Sequence, residues 1–469
     1  MGMKDELIQP DRGGAATTIR LVTADTFDRT AITLSGPQRS LLAAQRFTGK
    51  AGQTAILPDG EGWLALGGVP DKGLSSWCLA RLAEVLPAGT YRLAEESGFD
   101  GVDHALLGWQ TAQYRFDRYA ADAAAEGPRV LLTGKAGAIA GALAEARAVQ
   151  LVRDLVNTPA EDMGPAALEQ VAAGIVAAHR AELTVTRGEQ LEADYPMIHA
   201  VGRAAARHHA PRLLHLTWGR PDAPVLALVG KGVCFDSGGL DIKPSAGMLL
   251  MKKDMGGAAH ALALARLVME AGLDVRLHCL VPAVENAIAG NAFRPGDVLR
   301  SRKGLSVEIG NTDAEGRLIL ADALTRASEE SPALMLDFAT LTGAARVALG
   351  PDLPALFART DATADALLAA GRAQDDPVWR LPLHAPYAEG LKSDIADINN
   401  ATTNSFAGAV TAAIFLDRFV GQDAAGQPID WAHFDTFAWN PAPRPGRPRG
   451  GEALGLRAAW HMLQGRFGS

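Results

Sequence analysis

The chain has 469 residues, of which 48% are hydrophobic and 21% are charged, and its formal net charge is -8 at pH 7. This length can bury a large core and predicts two domains. The negative charge argues against nonspecific nucleic-acid binding as the main task, and no apolar run is long enough to span a bilayer.

The first 135 residues alternate strand-like and helix-like segments. Strand patterns fall at residues 54–57, 63–66 and 130–133, and a helical pattern covers residues 75–85. These segments predict a small N-terminal α/β domain over residues 1–135. The opening residues lack the apolar segment of a signal peptide, so we expect a cytoplasmic protein.

An alanine-rich segment, residues 136–156, has apolar residues at helical spacing. It should form a long helix that ends at Asn157-Thr-Pro159, because proline blocks its continuation. We expect this helix to join the small domain to a larger α/β catalytic domain with a central mixed sheet. The helix and the larger domain together would cover residues 136–469.

A first group of charged residues follows a predicted strand at 225–230. The strand ends in Gly-Lys-Gly, which places Lys231 at the edge where open α/β sheets bind ligands. Asp236 begins a glycine-containing loop that lets the backbone approach a ligand, and Lys243 follows that loop. Asp254 stands immediately before a predicted alanine-rich helix. The sequence therefore predicts a ligand site at this edge.

A second group repeats this arrangement. A short predicted strand at 307–309 precedes a loop with Asp313, Glu315 and Arg317, and a helix is expected from Leu318 onward. Alone, Gly-Lys-Gly is usually a turn, and Asp-x-Glu-x-Arg is commonly a solvated helix start. Together, so many carboxylates are costly to bury unless cations neutralise them. The two groups thus predict a two-metal hydrolase site.

Three segments, residues 229–239, 253–259 and 311–318, resemble the leucyl (cytosol) aminopeptidase family. The last segment, Asn-Thr-Asp-Ala-Glu-Gly-Arg-Leu, matches that family's signature without a break. The resemblance extends over roughly residues 150–440. It implies a dinuclear metallo-aminopeptidase of the hexameric type, which releases N-terminal amino acids, leucine-like ones preferred, by attack of water that two metals activate.

The resemblance also implies a role for individual residues. Lys243 would stabilise the developing gem-diolate, and Arg317 would hold a bicarbonate ion that serves as general base. An oxygen-rich ligand set with one lysine amine favours Zn²⁺ or Mn²⁺, with Co²⁺ and Mg²⁺ as alternatives. The metal ligands would be Lys231, Asp236, Asp254, Asp313 and Glu315. A mostly apolar pocket for the first side chain would include Met251, Thr340, Leu341 and Gly343.

Two other classes of protein share parts of this pattern. A dinuclear phosphoesterase uses similar carboxylates, but such sites usually include histidines. Here, His208 and His209 lie in an Arg/Ala-rich stretch typical of a surface, and His260 is expected to pack in a helix. A noncatalytic protein derived from a peptidase would have lost a ligand, whereas all seven charged positions are intact.

The expected partners are peptide substrates and further copies of the chain in a homohexamer. Neither a membrane nor nucleic acid is an expected partner. The three cysteines show no C-x-x-C pattern, which indicates a reducing compartment.

Overall fold

The computed structural model describes residues 6–94, 98–120 and 127–468. The chain divides into two compact units, one of residues 1–150 with 442–449 and one of residues 151–441 with 450–469. The boundary expected at residue 135 differs from this division, because residues 136–150 of the long helix group with the first unit. Within the described residues, no helix has both the length and the apolar character needed to cross a bilayer.

The first unit contains a six-stranded sheet in the order β1-β6-β5-β2-β4-β3, in which only the β3–β4 pair among the described strands is antiparallel. Its strands are β1 Ile8–Pro10, β2 Thr17–Val22, β3 Thr54–Asp59, β4 Gly62–Gly68, β5 Gly89–Leu93 and β6 Arg129–Thr133. Its helices are α1 Phe27–Thr33, α2 Gly36–Ala44, α3 Ala80–Val85 and α4 Val102–Thr111, followed by α5 Ala136–Asn157. The three predicted strands are confirmed as β3, β4 and β6, but the predicted helix at 75–85 begins only at Ala80.

The second unit contains the remaining elements. Its strands are β7 Glu182–Arg187, β8 Arg212–Trp218, β9 Val225–Gly230, β10 Gly232–Asp236, β11 Arg276–Asn286, β12 Val298–Arg300, β13 Ser306–Glu308, β14 Leu334–Ala339, β15 Ala355–Ala358, β16 Trp379–Arg380, β17 Ile398–Asn399, β18 Trp431–Asp435, β19 Trp439–Asn440 and β20 Gly450–Gly451. Its helices are α6 Pro165–His179, α7 Gly188–Asp194, α8 Pro196–Gly202, α9 Ser245–Met248, α10 Gly256–Ala271, α11 Glu315–Ser328, α12 Gly343–Leu349, α13 Asp361–Ala373, α14 Gly408–Asp417 and α15 Leu456–Phe467. Short 3-10 turns occur at Arg207–His209, Met251–Met255 and Ala385–Leu391.

A nine-stranded mixed sheet forms the centre of the second unit. Its order is β16-β15-β18-β14-β9-β11-β8-β7, with β10 paired to β11. The central strands β9, β14 and β18 are parallel, and residues 226–230 and 334–339 are buried throughout. Continuous apolar runs of this kind are typical of parallel strands covered on both faces. The predicted central mixed sheet is therefore confirmed.

Two short strands differ from the sequence-based expectation. A turn at Gly232 and a loop beginning at Asp236 were expected, but residues 232–236 form β10. The reason is the length of β11: β9 pairs with residues 276–280, so residues 283–286 offer a free edge to β10. The predicted strand near 307 exists, but β13 pairs with β12 and β17 in a separate three-stranded sheet.

Candidate active site

The residues that the sequence singles out lie around one cavity of about 560 Å³ in the second unit. The structure thus brings together segments that are far apart in the chain, although the role of each residue stays a prediction. The predicted residues among its lining are Lys231, Asp236, Lys243, Met251, Asp254, Asp313, Glu315, Arg317, Thr340, Leu341 and Gly343.

Main-chain geometry fixes the lysine and two of the carboxylates. Lys231 lies between β9 and β10, where its N–H donates to the carbonyl oxygen of Phe338 over 2.9 Å. Its own carbonyl oxygen accepts from the N–H of Ala258 over 2.8 Å, which ties the strand end to α10. Asp236 ends β10, and Asp254 lies in the turn that precedes α10. These side chains therefore meet at the carboxyl edge of the parallel strands.

The loop that carries Asp313 is held against the loop after β10 by Thr312. The N–H of Thr312 donates to Oδ2 of Asp241 over 2.7 Å, and its hydroxyl donates to the carbonyl oxygen of Gly238 over 2.7 Å. Gly238 has a φ of +87°, and a Cβ there would lie 2.5 Å from the carbonyl oxygen of Asp241. Only glycine fits this turn without strain.

Three carboxylates form the centre of the site. Asp236, Asp313 and Glu315 each place one oxygen within 4.8 Å of the others. The side-chain hydroxyl of Thr340 donates to Oδ1 of the fourth carboxylate, Asp254, over 2.8 Å.

Two lysines supply the positive charge among these carboxylates. Lys231 Nζ lies 2.6 Å from Oδ2 of Asp254 and 3.0 Å from Oε1 of Glu315. Lys243 Nζ lies 2.8 Å from Oδ2 of Asp236 and also contacts Asp313. Each lysine is therefore the counter-ion of two carboxylates.

The surroundings shift the pKa values of these groups. Burial, reinforced by Asp236, raises the pKa of Glu315 to about 8 and that of Asp313 to about 6. Burial alone would lower the pKa of Lys231 and of Lys243, but the neighbouring carboxylates outweigh it and raise both. Four carboxylates thus share two ammonium groups, and the cluster favours additional positive charge.

The hydrogen bonding of the buried carboxylate oxygens indicates whether metal ions fit this cluster. Oε2 of Glu315 is buried and accepts no hydrogen bond from the described residues. Oδ2 of Asp254 is also buried, and its close neighbour is the ammonium group of Lys231, 2.6 Å away. A buried acceptor without a donor costs about 1–3 kcal/mol, which a bound cation removes. The oxygen donors and the charge deficit both fit divalent cations.

Arg317 offers a second kind of ligand group. One guanidinium N–H donates to the carbonyl oxygen of Asn400 over 2.6 Å, whereas Nε is buried without a hydrogen-bond partner among the described residues. Burial lowers its pKa to about 10, so Arg317 remains charged at neutral pH. A charged guanidinium with a free N–H at the cavity fits a small anion such as bicarbonate.

Two residues that organise the site were not found from the sequence. Asn286 ends β11, and its Nδ2 donates to Oδ1 of Asp236 over 2.8 Å and to the carbonyl oxygen of Thr312 over 3.1 Å. Asp435 ends β18, and its Oδ1 accepts from the N–H of Leu341 over 3.0 Å. Both residues end a strand. A position at a strand end also made Lys231 a candidate, so the same signal could have identified Asn286 and Asp435.

The cavity wall is less apolar than the sequence suggests. Besides Met251 and Leu341, it includes the cations Lys253 and Arg346, which follow Met251 and Gly343 closely in the sequence. Burial lowers the pKa of Lys253 to about 8, so its ammonium form still dominates at pH 7. The expectation of a mostly apolar pocket is incomplete, because it omitted these two cations.

His260 and His209 have structural partners. His260 packs as expected: its ring stacks on Phe338, and its Nε2 accepts from the N–H of Leu454 over 3.0 Å. The expectation that His209 lies on the surface is wrong, since it is 8% exposed and its Nδ1 contacts the carboxylate of Glu285.

Comparisons with known proteins cover nearly the whole chain. The model of the cytosol aminopeptidase family's catalytic domain matches residues 150–459, and that of the M17 aminopeptidase N-terminal domain matches residues 18–131. A probable cytosol aminopeptidase from Roseiflexus castenholzii is 39% identical over 401 residues, covering 82% of this chain and 80% of that protein.

Solved structures extend the similarity to the fold. The crystal structure of a cytosol aminopeptidase from Coxiella burnetii has a TM-score of 0.93 and 44% identity, and the match covers 99% of this chain and 100% of that one. A bottromycin maturation enzyme in complex with Mn has a TM-score of 0.86 and 33% identity, with 97% and 100% covered.

Proposed function

This chain belongs to the cytosol aminopeptidase family and is a metal-dependent aminopeptidase, and we propose that its cavity cleaves the first residue from peptides with a free amino terminus. The observation that carries the proposal is the meeting of four carboxylates, two lysines and a buried arginine in one cavity. Leucine-like residues would contact the wall formed by Met251, Thr340, Leu341 and Gly343.

The metal ions are part of this proposal. Two divalent cations per subunit, Zn²⁺ or Mn²⁺, would be held by Lys231, Asp236, Asp254, Asp313 and Glu315. The Mn in the bottromycin maturation enzyme structure supports manganese, and the oxygen-rich donor set suits either ion. When bound, such ions lower the pKa of water and polarise a scissile carbonyl.

The chain's own residues would then complete the reaction. With other cations on these carboxylates, Lys243 would be free to donate its ammonium N–H to the oxyanion that develops on the scissile carbonyl. Arg317 would hold bicarbonate, which would supply a general base for the attacking water. Asn286 would keep the carboxylate of Asp236 in place through its hydrogen bond.

The assembly and the location belong to the proposal as well. A homohexamer is supported by the family resemblance and by the exposed apolar side chains of Leu249, Val347 and Phe406. Light scattering would measure the mass of the assembly.

A cytoplasmic location is supported by the names of the relatives and by free cysteines at 78, 234 and 279.

The test compares leucine anilide with acetyl-leucine anilide and uses metal-loaded protein. Hydrolysis should require the free amine, and Asp254→Ala and Glu315→Ala should each lose bound metal and activity. Glu389→Ala, which removes an exposed carboxylate from the same unit, is the control and should retain both. Full turnover by metal-stripped protein, or equal cleavage of the acetylated anilide, would contradict the proposal.

A further inference from the structure

Two histidines lie side by side on one face of the central sheet, outside the lining of the cavity. His215 of β8 is paired with Leu280 of β11, and His278 lies two residues before Leu280. Side chains two residues apart share a face of a strand, so the two imidazoles are diagonal neighbours. Nε2 of His215 lies 3.0 Å from Nδ1 of His278. Nitrogens of two adjacent strands therefore point at each other.

The separation of these nitrogens fits a shared metal ion. Zn²⁺ binds an imidazole nitrogen at about 2.0–2.1 Å, so two nitrogens at neighbouring corners of a tetrahedron lie roughly 3.3 Å apart. The two rings would have to separate only slightly to admit the ion. His278 is 5% exposed, whereas His215 is partly exposed, so water can occupy the remaining positions.

Both imidazoles have the protonation state that a metal ligand needs. Burial lowers the pKa of His215 to about 4, and it also lowers the pKa of His278. The two rings are therefore neutral at pH 7. A metal ion displaces a proton from an imidazolium but not from a neutral ring with a free lone pair, so proton competition is weak here.

A carboxylate orients one of the two rings. Nε2 of His278 lies 3.8 Å from Oε2 of Glu330. The negative charge favours the proton on Nε2, which leaves the lone pair of Nδ1 directed at His215. Metal-bound histidines commonly direct their other N–H at a carboxylate in this way. His215 needs only to carry its proton on Nδ1 to present a second lone pair to the same point.

The surrounding charges decide which kind of cation fits. The positive charges of Arg276 and Arg326 lie close enough to lower the pKa of both histidines, so they oppose a cation. Glu330 offsets part of this charge, since Nη2 of Arg326 lies 2.6 Å from its Oε1. Binding must therefore come from the bonds to imidazole nitrogen. Such ligands favour Zn²⁺, Cu²⁺ and Ni²⁺ over Mg²⁺ and Ca²⁺.

We propose that His215 and His278 form a further metal site, which binds one transition-metal ion such as Zn²⁺ between β8 and β11. The ion would join two adjacent strands of the central sheet through their side chains. Because neither histidine lines the cavity, the proposal does not depend on the aminopeptidase mechanism.

The experiment is equilibrium dialysis of the protein against Zn²⁺ at pH 7, followed by elemental analysis. His215→Gln and His278→Gln should each hold one Zn²⁺ ion per subunit fewer than the wild type, because one imidazole alone does not chelate. Only the difference between proteins is used, so ions at the proposed active site cancel. Hydrolysis of leucine anilide by the zinc-loaded variants should stay close to that of the wild type.

His384→Gln is the matched control. It removes an exposed imidazole from the same unit, where the ring of His384 packs against Tyr387, and it should leave the zinc count unchanged. Dialysis against Mg²⁺ should give equal counts for the wild type and His278→Gln. Because His215 is partly exposed, His215→Gln decides the question even where His278→Gln folds poorly.

The possible failures are separable. Equal zinc counts in the wild type, His215→Gln and His278→Gln would overturn the proposal. A loss of the same size in His384→Gln, or a matching difference with Mg²⁺, would also overturn it, because neither follows from chelation by this pair. No hydrolysis of leucine anilide by the metal-loaded wild type would instead contradict the proposed function and leave the zinc difference unaffected.

Discussion

Lys231 and Lys243 each lie between two carboxylates that the proposed metal ions also need. In the metal-free protein the lysines neutralise part of the cluster, and on metal binding they must move away or give up a proton. Their substitution should therefore affect the two steps, metal binding and catalysis, differently.

Lys243→Ala is expected to lower kcat by roughly 10²-fold or more, since it removes a donor that strengthens as the oxyanion develops. Metal content should not fall, because the substitution removes a competitor for Asp236 and Asp313. Steady-state kinetics with elemental analysis of the same sample measures both. A rise in KM alone, with kcat unchanged, would show that Lys243 only binds substrate.

Metal affinity should weaken as pH falls. The raised pKa of Lys231 keeps it protonated in the metal-free protein, so it becomes a ligand only by releasing a proton. Glu315, with a pKa of about 8, also binds a proton below that pH, and metal must displace it. Protons and metal ions therefore compete most strongly in acid.

Lys231→Met should release one proton fewer than the wild type when metal binds. Its metal affinity should therefore depend less on pH, and it should be weaker throughout. Calorimetry in buffers of different ionisation enthalpy gives the number of protons released. If the wild type and Lys231→Met release the same number, Lys231 is not a ligand.

Sequence patterns identified the charged residues of the site because those residues occur in compact groups after predicted strands. Lys253 and Arg346 escaped notice for a physical reason. Each is an ordinary cation in the sequence, and the fold brings it beside Phe437, a cavity-lining residue from a distant segment. Asn286 was missed likewise, because its partner Asp236 lies on a neighbouring strand that was not predicted.

At the scale of elements, a buried ion pair joins α5 to the segment after β20. Nη2 of Arg153 lies 3.1 Å from Oε2 of Glu452, and the two side chains are 0% and 2% exposed. Glu452→Gln should lower the free energy of unfolding by about 3–5 kcal/mol, because it removes the negative charge of a buried ion pair while its guanidinium stays charged.

Denaturant unfolding of metal-loaded protein measures this loss as a shift of the midpoint. Glu389→Gln is the control, since its ion pair with Lys392 is exposed and should contribute little. Equal midpoints for both variants would show that the buried pair does not hold α5 to this segment.

Elements with strong patterns were predictable from the sequence. The helix α10 and the strand β9 follow from a continuous apolar or alanine-rich run ended by glycine. β10 was not predictable in this way, because its residues become a strand only where the long β11 offers a free edge. The placement of β13 outside the central sheet likewise depends on pairing partners that local sequence does not reveal.

For the molecule as a whole, removal of metal should abolish activity but leave the fold. The core of the second unit packs apolar side chains of β9, β14 and α11, and this burial does not require the ions. Chelated protein should retain its far-UV circular dichroism and unfold at a lower temperature, since ions that bind only the folded state stabilise it. Loss of the helical signal on chelation would show that the ions are needed for folding.

The strand β18 follows β14 and β15 in the sequence, but it lies between them in the interior of the central sheet. Its last residue, Asp435, is the acceptor that holds the N–H groups of Leu341 and Thr342 at the cavity. On the ribosome, every proposed metal ligand is therefore translated before the pocket wall can be fixed, by an interval on the order of ten seconds at ordinary elongation rates. A nascent chain would carry the ligands without a finished pocket, and proteolytic activity would begin only after β18 has been translated.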